Sequence, residues 1–283
     1  MSNFRRLLKR KVVIFSFIVI AIIVLSAIFA PLIAPNDPNT QFKEGLTLQG
    51  SPVPPNAQFL LGSDLLGRDL LSRLIYGART SLLVGLLANG VAVLIGTTLG
   101  VLAGFLRGRI GSIIMRFTDL MMAFPALLLA ITLAAIFSPS LFIVALVIAM
   151  VNWVQIARVV YSQTISISER EFIEASKSLG ATNGRILRRH ILPHLAPFIL
   201  VWATLGISTT VLLEATLSFL GIGVRPPTPS WGNIIFENQT YFQTAPWLVF
   251  LPGLAIILLA LSFNFLGDAL RDELDPTQRG RRA

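Results

Sequence analysis

The chain of 283 residues is 54% hydrophobic and 13% charged, about half the roughly 25% charge of soluble domains. That balance excludes a soluble globular fold and specifies an integral membrane protein. A net charge of +9 would suit nucleic acid, but the basic residues lie between apolar runs, and the absence of cysteine excludes disulfide and thiol chemistry.

A membrane-spanning helix needs about 20 mostly apolar residues. Residues 12–34, 81–106, 112–137, 141–160, 195–219 and 247–266 meet that length, so the expected architecture is all-α with six transmembrane helices. Residues 1–11 form a basic N-terminal segment holding Arg5, Arg6, Lys9, Arg10 and Lys11. The apolar run at 12–34 is longer than a signal-peptide core, and Pro31 and Pro35 stand where a cleavage site needs small residues, so it reads as a retained helix. Residues 35–80 form an external loop rich in Pro, Asn and Gln that ends in an amphipathic segment. Within it Gly62-Ser-Asp-Leu-Leu-Gly67-Arg68-Asp69 has the glycine spacing of a phosphate-binding loop but lacks its Lys and Ser/Thr. It reads as a turn into a helix, not as a nucleotide site.

Residues 81–267 form a five-span core. Ala92, Gly96, Gly100 and Gly104 recur every fourth residue and make a smooth ridge for close helix packing. Asp119 lies on the third span, Asn152, Gln155 and Arg158 on the fourth, Thr204, Ser208 and Glu214 on the fifth, and Asn264 on the sixth. A charge at the bilayer centre costs about 2.5–3.5 kcal/mol, so Asp119 and Glu214 should be paired or near water. Asn152, Gln155 and Ser208 are the candidates for a polar translocation path. A second external loop, residues 221–246, carries PPTPSWG and a short helix near 231–236, and residues 268–283 form a C-terminal tail.

The polar segment SEREFIEASKSLGATNGRILRRHILPH, residues 168–194, separates the fourth and fifth spans. Ser168 and Glu171 have the spacing of a capping box. Phe172, Ala175, Ser176 and Leu179 follow at i, i+3, i+4 and i+7, a narrow apolar and small face. Gly180 stands where a helix end favours a left-handed residue. A second short helix over 185–190 is expected to stop at Pro193. His190 and His194 lie four apart but lack the glutamate of a zinc-protease helix. The pattern alone leaves open a helix lying in the headgroups or one docking a partner. With the N-terminus inside, only Lys43, Arg68, Arg73, Arg79 and Arg225 of the 23 basic residues lie outside. Both termini and the segment at 168–193 are thereby assigned to the cytoplasm.

Glu174-Ala175-Ser176, then Gly180, then Ile191-Leu192-Pro193 resembles the cytoplasmic EAA loop of bacterial ABC importer permeases. Ser176 replaces the second alanine, and the family's Ile-x-Leu-Pro ending lacks its spacer. LLGSDLLGRDLLSRLIYGARTSL (60–82), EATLSFLGIGVRPPTPSWG (214–232) and NFLGDALRDELDP (264–276) are similar to the dipeptide/oligopeptide/nickel permeases, in the subunit type with a short N-terminus and a modest first external loop.

The resemblance implies an ABC type I importer permease fold in a bacterial cytoplasmic (inner) membrane. The chain would not be an enzyme; it would form half a channel with a related permease subunit. Two ATP-binding subunits would carry ATP and Mg, an external solute-binding protein would deliver the ligand, and no cofactor, metal or nucleic acid is expected on this chain. Residues 168–179 would be the coupling helix, with Glu171, Phe172, Glu174, Ala175, Ser176, Leu179 and Gly180 as the ATPase-docking set. Glu174 would meet a basic or backbone donor group, Ala175 and Ser176 would permit close approach, and Gly180 would set the bend. Dipeptides or oligopeptides are the expected solutes, with nickel, glutathione or another small solute as the alternative. A non-transporting membrane scaffold or receptor is the alternative of a different class.

Overall fold

In hydrocarbon a backbone must satisfy its own polar groups, so long apolar runs become helices. The computed structural model describes residues 10–138 and 140–274, and within these the chain is helical with no strand ladder. Expectations for residues 1–9 and 275–283 lie outside the described residues. Five described helices are long and apolar enough to span a membrane, or six if one bent pair is a single span.

The first span is α1 (Lys11–Ile28), followed by a single turn, α2 (Ala30–Ile33), in which Pro31 costs no hydrogen bond. The second, α3 (Leu70–Leu106), starts well before residue 81 because Asp69 caps it, its carboxylate accepting from Ser72 N at 3.0 Å. At 37 residues it is about 55 Å long, so its first turns stand outside a hydrocarbon core of about 30 Å. The amphipathic end of the first loop is therefore the start of this helix.

The third predicted span is corrected. Residues 112–137 are not one helix; α4 (Gly108–Met122) and α5 (Ala126–Ile136) meet at 88°. Pro125 offers no N–H, and its ring drives Phe124 out of the helical region. The fourth span, α6 (Leu141–Ser168), runs past residue 160 to the start of the polar segment. There α7 (Glu171–Ser178) precedes α8 (Asn183–Ile186), which passes through a π-turn (Leu187–Ile191) into α9 (Leu192–Phe219). The expected stop at Pro193 does not occur. The proline sits in the first turn of α9, and the wider π-turn before it, closed by Leu192 N to Leu187 O, absorbs its ring. The last described helices are α10 (Trp231–Asn238), which includes the 231–236 stretch expected to be helical, and α11 (Trp247–Leu274).

The centre of the bundle is the pair α3 and α6, and the glycine ridge explains it. A Cβ on Gly100 would stand 2.6 Å from Ala157 O, and one on Gly96 2.6 Å from Trp153 O. The ridge thus brings the two backbones together, as its spacing predicts. Across from it α9 packs on α3, Asn89 Nδ2 donating to Ala203 O at 2.5 Å. Glu214 is fully buried and accepts from Ser81 (3.0 Å) and Ser218 (2.8 Å); serine hydroxyls satisfy its oxygens, and no cation pairs with it among the described residues. Helix α1 lies on α11 and α3, and Arg10 meets Asp272 at 2.7 Å, which puts the first and last described residues on one face of the bundle. This terminal face also carries α7.

The opposite face is closed by the first loop. Arg68 and Arg73 share Glu237 of α10, each at 2.7 Å, and Arg68 also meets Asp64 at 2.6 Å. All four are nearly or fully buried. Gly67 turns with φ 74°, and a side chain there would strike Phe42 O, so only glycine fits. The glycine-spaced stretch is a structural turn.

Candidate functional site

The terminal face presents a helix–turn–helix that the sequence singles out. Its first helix starts at Glu171, with Arg170 as an N-cap that makes no side-chain bond. The expected capping box is absent. Ser168 is the last helical residue of α6, so it cannot take the extended conformation a cap needs, and its buried hydroxyl has no partner among the described residues.

Ile173 anchors α7: it is fully buried in a cluster with Ile186, Ile191 and Leu195. Phe172 also turns inward. Its ring stacks on His194 at 5.1 Å and lies 6.0 Å from His190. Ser176 donates to Phe172 O at 2.7 Å and sits 3.4 Å from His190 Nε2. The two histidines thus brace α7. The narrow face of Phe172, Ala175, Ser176 and Leu179 is therefore corrected: two of its members pack inward and two point away. The exposed side consists of Glu171, Glu174, Ala175, Lys177, Ser178 and Leu179, with Leu179 88% exposed.

The helix ends as expected. Gly180 has φ 79°, Gly180 N bonds Lys177 O at 2.9 Å, and Ala181 N bonds Ser176 O at 3.0 Å. Those two bonds are the Schellman arrangement. Between α7 and the end of α3 lies a cleft of about 300 Å³, lined by Arg107, Glu169, Glu174, Lys177 and Asn183 among others. Arg107 holds φ 51° and meets Glu169 at 3.1 Å, which joins the ends of α3 and α6 beneath α7.

The path candidates separate. Gln155 is exposed; Asn152 is half-buried, and its Nδ2 has no partner among the described residues. Ser208 is buried, 2.8 Å from both Leu205 O and Asn264 Oδ1, and joins α9 to α11. It is removed from the open face because its hydroxyl is spent inside a helix contact. Asp119 is paired with Arg158 across α4 and α6, both side chains about half exposed. The buried ion cluster of the opposite face was not foreseen. Asp64 and Arg68 show i, i+4 spacing, but Glu237 joins them from α10, and no local signal reveals that.

Residues 96–280 match the family model described as binding-protein-dependent transport system inner membrane component, and residues 2–50 match the N-terminal TM domain of oligopeptide transport permease C. A dipeptide transport system permease protein of Alkalihalophilus pseudofirmus is 44% identical over 276 residues, covering 98% of this chain and 89% of the relative. A di/tripeptide transport system permease protein of Pseudomonas aeruginosa is 44% identical over 261 residues, covering 90% and 84%. A glutathione transport system permease protein of Pectobacterium atrosepticum is 38% identical over 272 residues, covering 96% and 89%. Among solved structures, a chain of the inward-facing MetNI methionine ABC transporter superposes with a TM-score of 0.59 at 20% identity, over 72% of this chain and 97% of that one. That last likeness concerns fold alone.

Proposed function

The chain belongs to the family of binding-protein-dependent transport system inner membrane components, and from this premise we propose that it passes dipeptides or oligopeptides through a channel it forms with a related permease. As a permease subunit of an ABC importer it is not an enzyme. ATP and Mg belong to two partner subunits, and an external binding protein selects and delivers the solute. The membrane is the bacterial cytoplasmic (inner) one, with both termini and α7 in the cytoplasm, in keeping with the distribution of basic residues.

The observation that carries the mechanism is the split of α7. One side is locked to the bundle by Ile173 and Phe172, and the other offers Glu171, Glu174, Ala175 and Leu179. A partner that seats on the exposed side moves α7 as a rigid lever, because the locked side transmits displacement into α6 and α9. Leu179 supplies the apolar anchor, Ala175 lets the partner approach, and Glu174 orients it through a charge-assisted bond. Phe172 and Ser176 act through the bundle and not through direct contact. Gly180 sets the turn, while Gln155 and Asn152 face the solute. Glutathione is itself a small peptide, so a relative named for it keeps the solute in one chemical class.

The test is reconstitution of the permease pair with its ATPases and binding protein in vesicles. Dipeptide-dependent ATP hydrolysis and dipeptide uptake are expected together. Uptake that does not depend on added dipeptide-loaded binding protein, or an assembly stimulated by nickel alone, overturns the peptide reading.

A further inference from the structure

Charged side chains within a span rarely meet lipid; they face a bundle interior or a water-filled cavity. Asp119 and Arg158 are paired, yet 50% and 47% of their side chains stay exposed on the surface of this subunit. Their depth follows from the glycine ridge. Gly100 packs on Ala157 and Val160, which flank Arg158 in the sequence. Between that level and Arg107 lie Val101–Leu106, six apolar residues of α3, or about 9 Å of helix. Arg158 does not stretch to the terminal face; it reaches sideways to Asp119 and Met122 Sδ.

A second observation marks the same place. The break between α4 and α5 begins four residues after Asp119, and Met122, Ala123, Phe124 and Pro125 are exposed there. Non-helical backbone at membrane depth is tolerated only inside protein or beside a water-filled cavity. Gln155, exposed one turn from Arg158, and the unpartnered Nδ2 of Asn152 extend the polar strip along α6. Among the described residues, Asp119 Oδ2 and Arg158 Nε and Nη1 have no hydrogen-bond partner.

We propose that the Asp119–Arg158 pair, with Gln155 beside it, is a station in the translocation path that receives a zwitterionic solute. The solute's ammonium group meets the free oxygen of Asp119 and its carboxylate meets the free edge of Arg158. Neither protein charge is left unpaired at any stage, since Asp119 Oδ1 and Arg158 Nη2 stay joined while the solute meets the free atoms. A solute bearing both charges is thereby favoured over one bearing a single charge. This rests on the peptide-import reading, because a free peptide carries both groups.

The chain contains no cysteine, so a single Gln155→Cys substitution is the sole thiol of this subunit. The experiment uses the complete assembly, with its other subunits made cysteine-free, in vesicles with the ATPase side outward. A membrane-impermeant charged thiol reagent is applied with and without free dipeptide. Labelling of Gln155→Cys, slowed by dipeptide, is expected. Asp119→Asn or Arg158→Gln removes one charge-assisted bond and should raise the dipeptide concentration for half-protection about tenfold or more. Protection in the Gln155→Cys protein alone decides the matter if either charge variant fails to assemble. No labelling means that the partner permease or lipid covers this face, and labelling without protection means a path without a station; each overturns the proposal. Dipeptide-stimulated ATP hydrolysis, measured in the same vesicles, reports separately on the peptide-import reading.

Discussion

Glu174 and Gly180 act on α7 through different physics, and their variants should separate accordingly. Glu174 is exposed, its backbone N–H bonds Arg170 O and its side chain makes no hydrogen bond among the described residues, so Glu174→Lys costs the fold little. It reverses the charge offered to a docking partner. Stable insertion with ATP hydrolysis uncoupled from uptake is expected, measured as solute moved per ATP; wild-type coupling in this variant would sink the docking role. Gly180 is constrained by conformation and not by space, since a Cβ there would touch nothing within 4 Å. With φ 79°, an alanine costs about 1–2 kcal/mol, and asparagine, which tolerates this region, costs less. Coupling should fall in the order Gly, Asn, Ala. An alanine variant equal to wild type would show that the turn can be made another way.

At the scale of helices, contact geometry decides what a substitution does. Gly100→Leu drives a side chain into Ala157 O and Val160, while Gly90→Leu enters open space on the same helix. The first should abolish recovery of monodisperse protein from detergent and the second leave it unchanged, as size-exclusion profiles would show. Equal profiles would mean α3 and α6 do not pack as described. The ridge was legible because a spacing of four is local and periodic. The break at Pro125 was not, since Pro197 and Pro252 also lie in apolar runs and stay inside helices. Which proline breaks a span depends on what neighbours it, and hydropathy averages over that. Ser168 failed for a related reason: a serine before Glu caps a new helix only if the previous helix has ended, and α6 had not. The inward turn of Phe172 and Ser176 likewise depends on His190 and His194 beyond the turn.

Across the whole molecule the two faces are held by charges of unequal worth. On the terminal face Arg10 and Asp272 are 38% and 45% exposed, and water screens such a pair to about 1 kcal/mol or less. Asp272→Asn should leave the thermal midpoint where it is. On the opposite face Glu237 holds two arginines that are at most 4% exposed, and it joins the first external loop to α10 across more than half the sequence. Removing one partner of such a group leaves charge buried and unpaired, a loss of about 3–5 kcal/mol. Glu237→Gln should therefore lower the midpoint by several degrees, visible in a detergent melt followed by intrinsic tryptophan fluorescence, because Trp231 sits at the start of α10. Uptake should fall only as far as folded protein falls, since the cluster closes a face of the bundle from inside. If uptake is lost while the midpoint stands, the cluster meets a partner on that face and its arginines are not merely a clasp.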